Sequence, residues 1–358
     1  MTAEPAPALS DEFLENTPNR PAVFLLWPRE GEPYLARTNV LKRRLSRLAR
    51  MGNLRETIVR VEVWFTGSVL EAQTKMYELA RVHFPKRYAQ LLHLRMPPYV
   101  KLLLANEYPR TVVTAQLSAA KAVLCGPFRS RASAERFEAG FLELFQIRRC
   151  QEDLAPSPNH PGCMYGEMGK CLRPCQQIVG PLEYRGEVNR VADFLETGGK
   201  SLLETATAAR DRFSAELDFE QAARQHERIS RIEDILKLRD ELARPLDSLH
   251  GIAIAPSSQQ HAVELSFIRA GHWQGTHRLS FELVDGKPLP LDAKLRELIA
   301  RVGARILPVR ERQDYLAILA RWFYSSWRDG EYLPLDNFSD VPYRKLVNAV
   351  SRVHRDVV

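Results

Sequence analysis

Apolar residues fall in short runs along the first hundred positions. Residues 21–27 (PAVFLLW) and 32–36 (EPYLA) read as two strands around Arg29-Glu30-Gly31, a hairpin. From 39 to 50, Val40, Leu41, Leu45 and Leu48 recur at helical spacing, with basic residues filling the other face. A strand over 57–66 and a helix over 69–84 follow. To about residue 98 the order is therefore β-β-α-β-α, a compact α+β unit behind a polar lead-in over 1–20.

Strands at 99–105 and 111–117 and a helix over 133–148 lead to a stretch holding Pro156, Pro158, Pro161 and Pro174, which must be irregular. From 182 to 242 the pattern is helical, broken at Thr197-Gly198-Gly199 and near Glu216-Leu217-Asp218, where Asp218 suits a helix cap. The helix from 219 to about 236 has an apolar stripe of Phe219, Ala222, Ala223, Ile229, Ile232 and Ile235. An antiparallel neighbour over 202–217 would cover it and make a helical hairpin. Two helices bury too little alone, so leftover surface invites a hairpin from a partner; packing only within this chain is the alternative. Strands at 251–255, 262–268 and 277–283, with Ala270-Gly271 as a turn, precede helices at 291–302, 310–327 and 343–354. The fold class is α+β: a unit over 21–98, a linking and cysteine segment over 99–182, a helical arm over 183–242 and a small α+β part over 243–358.

The chain has 358 residues, 45% hydrophobic and 27% charged, enough for two or three small domains. Lys plus Arg (51) minus Asp plus Glu (44) gives +7, which permits a polyanionic partner without requiring one. The local excess says more. Residues 37–50 hold Arg37, Lys42, Arg43, Arg44, Arg47 and Arg50 with no acid, and residues 81–110 hold Arg81, Lys86, Arg87, Arg95, Lys101 and Arg110 against Glu107 alone. Such runs suit a phosphate backbone, the bland alternative being a solvated helix face. Tyr88, Tyr99 and Tyr108, among the second set, either stack on unpaired bases or belong to the core. No apolar run reaches the roughly 18 residues of a spanning helix, and the acidic, proline-bearing start is unlike a secretory signal. The expectation is a cytoplasmic protein with no membrane partner.

Of five cysteines, four fall together as Cys150-x12-Cys163-x7-Cys171-x3-Cys175, with Cys125 apart. In a reducing compartment such a group more often holds a metal or cluster than disulfides. Four thiolates complete the ligand set of either a four-iron four-sulfur cluster or a structural zinc. Zinc ribbons usually show two short knuckles, and one close pair with two ligands on long loops leans toward the cluster. Four unrelated buried thiols are the remaining alternative. His250, His261, His272, His277 and His354 show no metal-ligand spacing with carboxylates.

The runs Ile147-Arg148-Arg149-Cys150, Cys163-Met164-Tyr165, Gly169-Lys170-Cys171 and Pro174-Cys175, with Gly126-Pro127-Phe128 before them, resemble the cysteine segment of the UvrC family, the C subunit of the bacterial excinuclease. The resemblance implies a four-iron four-sulfur cluster on Cys150, Cys163, Cys171 and Cys175. Leu217-Asp218-Phe219-Glu220-Gln221-Ala222-Ala223 is similar to the UVR motif, which implies binding of a UvrB-like subunit through Phe219, Glu220, Ala222, Ala223 and Ile229. His226-Glu227 stand where the motif usually has an Arg-Asp pair.

Residues 21–24 (PAVF), Tyr34-Leu35-Ala36 and Arg44 look like an eroded GIY-YIG nuclease domain, the incision module of this family. In that pattern two tyrosines and an arginine act around the scissile phosphate, and a helix glutamate holds the divalent metal. Tyr34 and Arg44 remain, whereas Phe24 replaces the first tyrosine and Met76 falls at the glutamate position. A thioether is soft and uncharged and cannot place a hard cation, while Glu71 and Glu78 project from other sides of the helix. The residues past 283 resemble neither an RNase H-like site nor helix-hairpin-helix modules. The expectation is a DNA- and UvrB-binding excision-repair protein without nuclease activity or catalytic Mg²⁺, contacting DNA through Arg37, Lys42, Arg43, Arg44, Arg47, Lys86 and Arg87. An active stand-alone endonuclease with a rearranged metal site is one rival; an interaction protein unrelated to DNA is the other.

Overall fold

The computed structural model describes residues 9–51, 54–118, 122–281 and 290–355, which form three antiparallel sheets with helices between them. The first unit comprises α1 (Asp11–Asn16), β1 (Ala22–Pro28), β2 (Tyr34–Thr38), α2 (Leu41–Ala49), α3 (Leu54–Thr57), β3 (Ile58–Phe65), α4 (Val69–His83) and α5 (Tyr88–Leu91). Its sheet runs β2-β1-β3. Strand β1 is apolar throughout because both its faces are covered. Ala22, Phe24 and Leu26 meet Leu41, Leu45 and Leu48 of α2, while Val23 and Leu25 join Tyr77 and Ala80 of α4. Part of the expected polar lead-in is structured instead. The Ser10 hydroxyl caps α1 by accepting from the Phe13 amide at 3.1 Å, and Leu9 and Leu14 bury against α2.

The second sheet, ordered β5-β4-β6-β7, combines β4 (Tyr99–Leu103), β5 (Thr111–Thr114), β6 (Ala122–Gly126) and β7 (Arg244–Pro245). Between β6 and β7 the chain forms α6 (Arg131–Leu142), α7 (Met164–Glu167), a 3-10 turn over Pro174–Gln176, and the long helices α8 (Pro181–Glu196), α9 (Lys200–Ala215) and α10 (Phe219–Lys237). Helix α6 ends six residues short of the expected 148. Beyond it the backbone finds tertiary partners: Gln146 N–H donates to the Glu187 carboxylate at 2.7 Å, and Arg148 N–H to the Tyr184 hydroxyl at 2.9 Å. Tyr88, Tyr99 and Tyr108 are all buried, which settles them as core rather than stacking platforms.

The third sheet runs β10-β9-β8-β11, from β8 (His250–Pro256), β9 (Ala262–Arg269), β10 (His272–Ser280) and β11 (Glu331–Leu335). Ala270 and Gly271 both take positive φ, 49° and 68°, as the turn joining β9 to β10. The last three residues of the expected strand 277–283 include positions outside the described residues. Helices α11 (Leu291–Ala300) and α13 (Tyr343–Arg355) cover one sheet face, and α12 (Val309–Phe323) the other. Among the described residues no helix is long and apolar enough to cross a membrane.

Helix α12 is buried on nearly every side because it lies between this sheet and α4. Trp273 stacks on Tyr315 at 5.3 Å, and Tyr315 meets the edge of Tyr77 at 4.8 Å. Asp314, 1% exposed, accepts from the Tyr77 hydroxyl at 3.1 Å and the Tyr88 hydroxyl at 2.7 Å. The N-terminal unit and the C-terminal part thus share one core. The loop before α4 adds a second tie, since a Cβ on Gly67 would fall 2.0 Å from the Ser257 carbonyl carbon.

Removing the shared acceptor should loosen this junction. Asp314→Ala strands two buried hydroxyls and should lower stability by about 2–4 kcal/mol, read as a shift of the urea midpoint. Tyr77→Phe, which removes one donor, should cost about 1 kcal/mol.

Candidate functional site

Strand β2 and helix α2 bring two of the expected incision residues together: the Arg44 guanidinium donates to the Tyr34 hydroxyl at 3.0 Å. Phe24 lies on the same sheet face, its ring 6.2 Å from that of Tyr34 and wholly buried. Residue 24 therefore offers packing but no hydroxyl at this point. Met76 is on the opposite face of the sheet, where α4 packs on Val23, Leu25 and Leu35. With Gln73 and Arg37 it borders a cavity of about 220 Å³.

Several carboxylates of this unit are engaged elsewhere. Glu32 pairs with Arg87, Glu78 with Lys75 at 2.7 Å, and Glu62 with Trp27 and Arg60. Glu71 accepts from the Gly67 amide at 2.6 Å, and burial pushes its pKa up to about 7. Among the described residues no carboxylate forms a hydrogen bond or ion pair with Tyr34 or Arg44.

What surrounds that pair is positive charge. Arg37, Arg43, Arg44, Arg47 and Arg50 line an open pocket of about 630 Å³ that no acid borders. The cause is local: α2 buries Leu41, Leu45 and Leu48, which turns its arginines outward. The other expected DNA contacts differ. Lys42 donates to the Glu15 carbonyl at 2.7 Å, and Arg87 is ion-paired, so neither joins this pocket; Lys86 is exposed on the turn before α5.

The cysteine segment folds as an irregular loop held to the second sheet and α8. Cys171 and Cys175 are buried, Cys163 is exposed and Cys150 is half-buried. Burial pushes the Cys171 thiol up to about 11, and neighbouring Cys150, Cys163 and Cys175 add to the rise, so the four lie within electrostatic reach of one another. Among the described residues no three His, Cys, Asp or Glu side chains stand close enough to hold a single metal ion. Two donors face the sulfurs: the Arg173 amide at 3.4 Å from Cys171 Sγ and the Arg148 guanidinium at 3.6 Å from Cys150 Sγ.

Arg148 is the residue that spacing alone did not single out. It is 3% exposed, donates to the Tyr108 and Glu152 carbonyls, and has no carboxylate partner among the described residues. A buried cation without an anion is costly, and thiolates at Cys150 and its neighbours would supply the missing negative charge. The donor set therefore fits a group that binds thiolates. Its sequence signal was a pair of arginines directly before the first cysteine.

In the arm, α9 and α10 pack antiparallel, and Asp218 caps α10 by accepting from the Gln221 amide at 3.1 Å. Leu217 and Phe219 at the tip are 72% and 66% exposed. Glu220 pairs with Arg224, Ala222 is half-buried and Ala223 exposed. Ile229 differs from the expected partner contact: it is buried in this chain's own core with Ile232 and Ile235.

Residues 98–194 match the family model of the UvrC/Cho excinuclease middle domain. The chain is 24% identical over 286 residues to UvrABC system protein C of Lachnospira eligens, covering 77% of this chain and 47% of that protein. It is 27% identical over 278 residues to the Desulforudis audaxviator protein of the same name, covering 76% and 45%, and 26% identical over 288 residues to that of a Synechocystis species, covering 77% and 45%. The chain spans about half the length of the curated relatives it matches. No solved structure matches it. The likeness to UvrABC system protein C runs through three quarters of the chain, and the match to the UvrC/Cho middle domain includes the segment that carries the cysteines.

Proposed function

We propose that the chain works in nucleotide excision repair by holding DNA and a UvrB-like subunit, and that its N-terminal unit does not cut. The observation that carries this reading is the arginine pocket around Tyr34 and Arg44, which has five guanidinium groups and no bordering carboxylate. Guanidinium groups bind phosphate oxygens and release counterions, which gives affinity. Hydrolysis assisted by a hard divalent ion needs oxygen ligands to place that ion, and no carboxylate lines this pocket. The site can grip a phosphodiester but lacks a means to activate water on it.

Two further parts support the reading. The exposed Leu217 and Phe219 at the arm's tip offer apolar surface for a partner hairpin, with the adjacent Glu220–Arg224 pair on its flank. In the cysteine segment, Cys150, Cys163, Cys171 and Cys175 would hold a four-iron four-sulfur cluster, which cross-links loops that have little core of their own. The four thiols influence one another, and the buried Arg148 guanidinium beside Cys150 Sγ supports a group bound through thiolates.

Incubated with damaged duplex and Mg²⁺ or Mn²⁺, the chain should bind without cutting. Arg44→Ala should weaken binding and lower the slope of log K on log salt by about 0.9, measured by anisotropy titrations. Robust cleavage lost in Arg44→Ala would instead establish the active endonuclease.

Anaerobically purified protein should be brown and contain iron and acid-labile sulfide, and Cys171→Ser should lose the colour and expose the segment to proteolysis. A colourless, zinc-loaded protein would refute the cluster while leaving the thiolate scaffold in place.

A further inference from the structure

The basic surface does not stop at the Tyr34–Arg44 pair. Arg37, on edge strand β2, borders both the open arginine pocket and the 220 Å³ cavity beside Met76. Arg95 and Arg321 in turn border that cavity and an open groove of about 640 Å³. These three arginines are walls shared between neighbouring spaces, so the three follow one another as a track. It leads from the first unit, past the junction of α4 and α12, to the second sheet. No Asp or Glu lines any of the three spaces.

The groove at the far end has a different character from the arginine pocket. It adds Arg129 and Arg131 to the basic wall, but Phe128, Tyr324 and Trp327 line it as well. Arg129 lies over the Tyr324 ring at 5.3 Å, and Trp327 is 45% exposed although its neighbour Trp322 is wholly buried. Arg95 and Arg321 are exposed and form no ion pair among the described residues; Arg131 pairs with Glu135. Positive charge along a groove interleaved with aromatic faces suits unpaired nucleotides, whose bases are free to stack.

The cavity in the middle carries a second, independent signal. Gln73 lines it, and the side-chain oxygen and nitrogen of this glutamine are both buried without a hydrogen-bond partner among the described residues. An amide left this way lacks about 1–3 kcal/mol of compensation, and a turn of the side chain into the cavity would offer it to a ligand. A nucleobase edge presents a donor–acceptor pair, and Gln is one of the side chains that reads it. The remaining walls include Met76, Leu94 and Ile318, suited to a flat apolar face. The size also fits, since a cavity of roughly 150 Å³ accepts a benzene ring.

We propose that this track seats single-stranded DNA. Its phosphates run along Arg37, Arg95 and Arg321, one unstacked base enters the Gln73 cavity, and another stacks on Trp327. The inference rests on the DNA-binding reading above and deepens it, because it gives the middle of the molecule a strand to hold apart from the duplex contact at Arg44. It also gives position 76 a role: a polarizable thioether flanking a base in place of a metal ligand.

The test is an anisotropy titration of the full chain with a short labelled oligodeoxynucleotide, single-stranded or as its blunt duplex. The Arg95→Ala/Arg321→Ala double variant should bind the single strand about tenfold more weakly, with a salt slope lower by about 1.4, and the duplex as before. Trp327→Ala and Gln73→Ala should each cost the single strand about fivefold or more, and Trp327→Ala should abolish the quenching of tryptophan emission on binding. An unchanged urea midpoint shows that each variant is folded. Wild-type affinity for the single strand in the Arg95→Ala/Arg321→Ala variant, with binding lost only in Arg43→Ala/Arg47→Ala, would overturn the track and leave the arginine-pocket reading standing. Equal loss of duplex and single strand in the Arg95/Arg321 variant would overturn the single-strand assignment. A wild-type chain that binds neither form would overturn both readings.

Discussion

The pairing of α4 with α12 is the contact on which the rest of the arrangement depends. A helix from the first unit and a helix from the last part of the chain meet over Tyr77 and Tyr315, with Asp314 accepting two tyrosine hydroxyls between them. Burial of these groups makes the junction specific as well as apolar, since each hydroxyl leaves water only because its acceptor is in place. The consequence for function is geometric. With α12 held against α4, Arg321 comes beside Arg95, and residues distant in sequence form one wall.

Charge is sorted across the molecule in a way that composition alone does not show. A net charge of +7 is modest for 358 residues, yet several acids of the first unit pair with local partners and the arginines of α2 are left facing outward. At the cysteine segment the same imbalance lies in the interior, with a buried guanidinium awaiting negative charge. The two sites answer to one rule. An unpaired cation at the surface recruits phosphate at little cost, whereas an unpaired cation in the interior demands an anion from its immediate surroundings.

Much of this was legible in the sequence, for identifiable reasons. The run 21–27, the leucines of α2 and the cap at Asp218 are local signals, and the structure places strand, helix and cap there. The four cysteines were legible because four scarce residues fell within one short stretch. Other features depend on neighbours that periodicity does not reveal. The stripe on α10 gave the apolar residues but not which neighbour each would meet; Ile229, which the resemblance put among the partner contacts, packs in this chain's own core. Strand β11 contains Pro334 and lies at a sheet edge, where proline is tolerated but conceals the strand pattern. Arg95, Arg321 and Gln73 became a set only when α12 closed over α4.

The central claim is that the first unit holds a phosphodiester without placing a metal ion on it. The most direct measurement is a crystal structure of the chain with a DNA oligonucleotide grown in Mn²⁺, with anomalous data collected at the manganese edge. The account predicts a phosphate against Arg44 and its neighbouring arginines and no anomalous peak beside Tyr34. A manganese ion there, ligated by a carboxylate from any part of the chain, would contradict it.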